Sequence, residues 1–202
     1  MKWGWIGVIV WLYGQDWGIW TFQQVSFPIG SNQRWQTQFI LQPRVVREGW
    51  ETILGLGLLG YWFHPQHSLI GGGAWVEFYR PRRVTQQRML WRWQGNFSPT
   101  FSTSITWEWR WEGGGLREFL MRPMIRYRLG RKRWAPLIVN ELFYTHWSMR
   151  TQWKGFFRQE RLWLALSGNL TKRLQVETGY LLIAAPKTPP RHRLWLALRW
   201  SP

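Results

Sequence analysis

Two pairs in this chain put an imidazole beside a hydroxyl, His67 with Ser68 and His146 with Ser148. Such a pair is the minimum from which a nucleophile is built. Neighbours on a strand point to opposite faces, so the adjacency of His67 and Ser68 carries little weight by itself. Glu108 and Glu112 come closest to a carboxylate pair. Four strand residues would hold them about 13 Å apart, which is wide for glycoside chemistry. Cysteine is absent, which removes thiol nucleophiles, thiolate zinc sites and disulfides. No cluster of histidine and carboxylate has metal-ligand spacing. The glycine runs 71–73 and 113–115 lack the Lys-Ser/Thr and the helix of a phosphate loop. The residues therefore assign no catalytic group, no metal and no cofactor. A lipid-acting hydrolase remains as an alternative, resting on the two histidines.

The charged residues follow a stricter rule. In 101–112, Phe101, Thr103, Ile105, Trp107, Trp109 and Trp111 alternate with Ser102, Ser104, Thr106, Glu108, Arg110 and Glu112. In 116–129, Phe119, Met121, Ile125, Tyr127 and Leu129 oppose Glu118, Arg122, Arg126 and Arg128. A period of two is the mark of a β-strand, and the two segments form a hairpin across the glycines. Further strands of ten to fourteen residues or so follow the same rule between turn signals. In 156–167, Leu162, Leu164 and Leu166 oppose Gln159 and Arg161. In 173–184, Leu174, Val176, Tyr180 and Leu182 oppose Arg173, Gln175, Glu177 and Gly179. In 191–200, His192, Leu194, Leu196, Leu198 and Trp200 oppose Arg191, Arg193, Trp195 and Arg199. The segment 134–146, with Asn140 and Glu141, is the least regular. About eleven strands result, an awkward number because single-chain bacterial barrels have even counts.

Composition bears on which solvent meets which face. The chain has 202 residues, a formal net charge of +17 and 20 tryptophans. A strongly basic chain suggests an anionic partner, yet the arginines stand singly within alternating strands. The only tight cluster is Arg131-Lys132-Arg133. Tryptophan in this quantity suits a membrane–water interface, where the ring is apolar and its N–H needs a partner. No apolar run is long enough for a membrane helix. Residues 1–15 have the layout of a secretory signal peptide: Lys2, an apolar stretch over 3–12, then polar sequence. The alternative is an additional first strand. Residues 16–202 form the domain.

A soluble barrel would bury the Leu/Trp faces and expose the charges, and would be a basic binder of anionic ligands or nucleic acid. A transmembrane barrel inverts this. Bulky apolar faces in strand after strand, strands longer than soluble ones and a terminal strand ending at Trp200 favour inversion. The expected fold is an all-β, antiparallel up-and-down transmembrane β-barrel of 10–12 strands, located in the bacterial outer membrane. Trp107, Trp109, Trp111, Leu164, Leu196 and Trp200 then face lipid. Glu108, Arg110, Glu118, Arg122, Arg126, Glu141, Gln159, Arg161 and Glu177 point into the lumen. There they form a network of guanidinium forks and carboxylates, or else an Arg-biased pore that admits anions. The expected partner is outer-membrane lipid; Arg82, Arg83, Arg150 and Lys187 in loops are either ordinary solvated charge, the favoured reading, or contacts for lipopolysaccharide phosphates. Nucleic acid is not expected.

Several short pieces resemble a family of small proteobacterial outer-membrane proteins defined by a domain of unknown function. They are Asp16-Trp17-Gly18-Ile19-Trp20, Gln42-Pro43-Arg44, Glu108-Trp109-Arg110, Asn140-Glu141-Leu142-Phe143, Phe157-Arg158-Gln159-Glu160-Arg161 and Glu177-Thr178-Gly179-Tyr180-Leu181. Such proteins tend to have Gln-Asn-Arg where this chain has Gln159-Glu160-Arg161. The resemblance implies an outer-membrane barrel with no established activity.

Overall fold

A computed structural model describes residues 17–30, 34–46, 49–79, 83–113, 115–130, 133–148 and 156–201. The expectations for residues 1–15 lie outside this set. So do those for Arg82, Arg150 and the Ser148 side chain. Eleven strands close into one barrel: β1 Trp17–Ile29, β2 Trp35–Val46, β3 Gly49–His64, β4 His67–Phe78, β5 Val84–Ser98, β6 Phe101–Glu112, β7 Gly115–Arg128, β8 Trp134–Ser148, β9 Phe156–Asn169, β10 Leu174–Ala185 and β11 Thr188–Trp200. Each strand pairs antiparallel with its neighbours in sequence. An odd count leaves the first and last strands running the same way, and β1 closes on β11 as a parallel seam from Trp17↔His192 to Val25↔Trp200. No helix among the described residues is long and apolar enough to cross a membrane, which says nothing of strands.

The alternation sets which side is which. Glu108 is fully buried and Arg110 nearly so, while Trp91, Phe39 and Leu164 on outward positions are 43%, 57% and 48% exposed. Charges point in and large apolar groups point out. Aromatic side chains gather towards both ends of the outer wall. Phe27 meets Trp200, Trp35 meets Tyr61, and His67 lies against Phe63, Trp93 and Phe97 at the end where the last strand finishes. Trp109, Phe119 and His146 cluster towards the other end, as do Tyr144 and Phe157.

The irregularity of the eighth strand has a cause. Three bulges sit on adjacent strands near one end, with Arg117, His146 and Arg158 as the extra residues. A bulge shifts the in/out phase by one residue, so a strict two-residue reading fails beyond it. A bulge in β3 opposite Arg44 and Val45 does the same for Glu51, which together with Thr52 lines the interior.

Gly179 shows how closely the wall strands approach. A Cβ there would collide with the Leu164 carbonyl and with Ala165 of β9. Gly179→Ala is expected to cost about 1–3 kcal/mol, as overpacking does. Chemical unfolding of the purified variant checks this, and a cost within experimental error would show that β9 and β10 separate freely.

Candidate functional site: a charged and aromatic lumen

Glu108 on β6 is the hub of the interior. Its Oε1 accepts from Arg110 Nε at 2.6 Å and lies 3.0 Å from Arg88 Nη1, and its Oε2 accepts from Arg122 Nη1 at 2.5 Å. Arg122 reaches across to Glu141 on β8, donating from Nη2 at 2.6 Å and from Nε at 3.0 Å. Glu141 also lies 3.5 Å from Arg161 of β9. Gln159, with its amide oxygen turned to Arg161, accepts from Nε at 2.5 Å and Nη2 at 3.0 Å. Arg110 continues to Glu118 at 3.2 Å, and Glu118 accepts from Arg158 at 2.5 Å. A separate group joins Arg126 and Arg199 to Glu177. Alternate positions on β6, β7, β8, β9 and β10 thus bring together all nine polar residues singled out by the alternation, in two clusters.

Buried charges are held only by partners, since removing an ion from water costs several kcal/mol even after relaxation. Here Glu108, Glu118, Glu141 and Glu177 each serve at least two guanidinium groups. Planar forks suit this bridging because their donors are fixed in direction. The excess positive charge is partly spread over aromatic faces. Arg44 stands 4.0 Å and Arg161 5.1 Å from the Trp20 ring, and Arg161 and Arg122 lie 4.2 Å and 4.7 Å from Phe143.

The interior differs from a uniformly polar one. Trp20, Leu137, Val139, Trp163, Leu181, Ile183, Trp195 and Ala197 form one buried apolar cluster, and Ile40, Leu58, Ile70 and Leu90 form another. Tryptophan is therefore not confined to the outer face and strand ends. Trp20, Trp163 and Trp195 fall on inward positions and fill space that long arginines alone would leave. Neither is the lumen solidly blocked. A cavity of about 1330 Å³ runs inside the wall, lined by thirteen cationic side chains and three carboxylates. At the end where β11 finishes, its lining includes the turn residues Gln66, Pro99, Thr100, Lys172 and Arg173. At the opposite end it includes none of the described turn residues.

The six apolar residues named from the sequence behave differently from these. Leu164 is largely exposed on the outer wall, while Trp107, Trp109, Trp111, Leu196 and Trp200 are partly covered by their outward neighbours. Arg83 lies in the turn after β4 paired with Glu77, and Lys187 lies in the turn before β11. Both turns are at the end opposite the cavity's mouth.

His67 and Ser68 do not assemble a nucleophile, and the pair of His146 with Ser148 includes a side chain outside the described set. His67 Nδ1 has no hydrogen-bond partner, and its ring contacts are aromatic. His146 lies against Phe119. Among the described residues, no group of three or more histidines and carboxylates could hold a metal ion.

The set of lumen residues read from the sequence left out Arg44, Glu51, Arg88, Arg92, Arg158, Arg193 and Arg199, although Arg193 and Arg199 stand on the polar side of their strand's alternation. Arg44, Arg88, Arg193 and Arg199 carried the needed signal, since each occupies a polar position in a clean alternation. Glu51 and Arg158 did not, because both sit at bulges.

Residues 17–200, covering every strand, match the family described as "Protein of unknown function (DUF2490)". The chain belongs to the DUF2490 family. No curated protein matches it, and no solved structure does. The DUF2490 match spans the seam strands at both ends, so the family's extent coincides with the closed barrel.

Proposed function

We propose that the protein is an outer-membrane β-barrel whose lumen, rich in guanidinium groups, is an anion-accepting chamber rather than a catalytic centre. The observation that carries this is the inverted wall, with ion pairs inside and tryptophan, leucine and phenylalanine outside. Water penalises large contiguous apolar surface, whereas hydrocarbon penalises unpaired charge. A wall so arranged is stable in the second solvent. Strands of 12 to 16 residues exceed the nine to eleven or so that cross a bilayer when tilted. The aromatic residues towards both ends suit the two interfaces. Lysines and arginines in the turns at the end away from the cavity's mouth would meet lipid phosphates.

The test is direct. The full chain should need detergent, insert into phosphatidylcholine vesicles, and migrate on a denaturing gel at a position that changes on boiling. A monodisperse monomer in plain buffer would defeat the reading. It would leave a soluble basic barrel, whose anion binding should then fall steeply with salt.

A further inference from the structure

We infer that the chamber holds an amphipathic anion, a carboxylate or phosphate on a hydrocarbon chain, with its head at one of two inward guanidinium groups, Arg44 or Arg92, and its tail on the luminal apolar clusters. This rests on the proposed chamber and names its ligand class. Three observations carry it.

The first is that two inward guanidinium groups form no ion pair with a carboxylate among the described residues. Arg44 donates only to Gln42 Oε1 at 3.1 Å, and its buried Nε has no partner. Arg92 donates only to Thr106 Oγ1 at 2.9 Å. Both line the cavity. Every carboxylate of the central network is already shared between arginines, and Glu51, which also lines the cavity, lies against Arg193 and the Trp20 indole and forms no ion pair with either of these two. A buried cation without an anion is costly, and a ligand carboxylate or phosphate matches the guanidinium fork.

The second is the room and the character of the wall. The cavity of about 1330 Å³ exceeds ordinary small-molecule sites. An inorganic anion would leave most of it empty. Around the charged positions the same cavity is lined by Phe22, Leu54, Leu56, Trp163 and Trp195. A free ion would have no use for these side chains, but an alkyl chain would cover them.

The third is access. The lining includes turn residues at the mouth where β11 ends, among them Lys172 and Arg173. Two cations at the entrance favour a negatively charged head on the way in.

The experiment is native mass spectrometry of the full chain in a neutral detergent. It is titrated separately with dodecanoate, dodecyl phosphate, dodecanol and inorganic phosphate. We expect one dodecanoate or dodecyl phosphate per chain. One of Arg44→Gln and Arg92→Gln should weaken it about tenfold, the scale of a lost charged hydrogen bond, and unchanged binding in both overturns the inference. Gln38→Trp adds bulk to the cavity lining at a side chain that hydrogen-bonds to Gln36 and to no arginine, and should weaken uptake. It guards against the arginine variants failing to fold, which the boiling-dependent gel shift reports. The inference is overturned if inorganic phosphate binds as tightly as dodecyl phosphate, if dodecanol binds as tightly as dodecanoate, or if Gln38→Trp binds normally. Absence of any adduct on the native chain overturns it too. Failure of the membrane reading shows separately, as solubility in plain buffer, where the same titration can be run and judged on its own.

Discussion

Glu108→Gln should unfold the barrel or bring it close to unfolding. The substitution keeps the size of the side chain and removes one charge, so any effect is electrostatic. Three guanidinium groups, from Arg88, Arg110 and Arg122, converge on this fully buried carboxylate. Taking it away leaves them facing one another with only Glu118 and Glu141 to share. Breaking a buried ion pair from one side costs about 3–5 kcal/mol, and here one removal breaks three contacts. Urea unfolding in a neutral detergent, followed by tryptophan fluorescence, measures the loss. Glu112→Gln, at the end of the same strand and outside the network, should stay within about 0.5 kcal/mol of the parent. Arg110→Leu combined with Glu108→Gln should cost less than the sum of the two, because each removes part of the other's penalty. Equal costs for Glu108→Gln and Glu112→Gln would mean that the network contributes nothing to stability.

Leu164→Arg discriminates between solvents. Leu164 sits at the middle of β9 on the outer wall and is 48% exposed. In hydrocarbon an arginine at that depth costs about 2–4 kcal/mol. In water the same change should fall within about 0.5 kcal/mol, and it would raise solubility. Folding yield into phosphatidylcholine vesicles, read from gel mobility before and after boiling, should therefore drop sharply. Unchanged yield would place the residue in a polar environment and remove the argument for lipid around the wall.

How much of this was legible beforehand depends on phase. Wherever a strand keeps its two-residue period from end to end, as β6, β10 and β11 do over most of their length, reading alternate letters identified the inward residues. Glu108, Arg110 and Glu177 were found that way. The period says nothing about which inward groups touch, because partners such as Arg122 and Glu141 lie on strands whose register is set by turns and bulges. The bulges themselves left no clear mark. Arg117, His146 and Arg158 are ordinary residues whose neighbours shift phase around them, and Arg158 and Glu51 were lost for that reason. The apolar clusters inside were hidden differently. Trp195 was visible among arginines on the polar side of β11, yet a lone tryptophan there did not announce that Trp20 and Trp163 would join it across the barrel.

The parallel seam constrains how the wall is made. Ten of the eleven contacts between strands join neighbours in the chain, so each can zip from a turn as a local hairpin. The contact of β1 with β11 has no such start, since Trp17 and His192 are separated by almost the whole sequence. Its loop-closure entropy is the largest in the fold, and its slanted hydrogen bonds are slightly weaker per residue than antiparallel ones. The cylinder is therefore sealed last along this line, and under stress it parts there first, as a sheet that unrolls from its one unhinged edge.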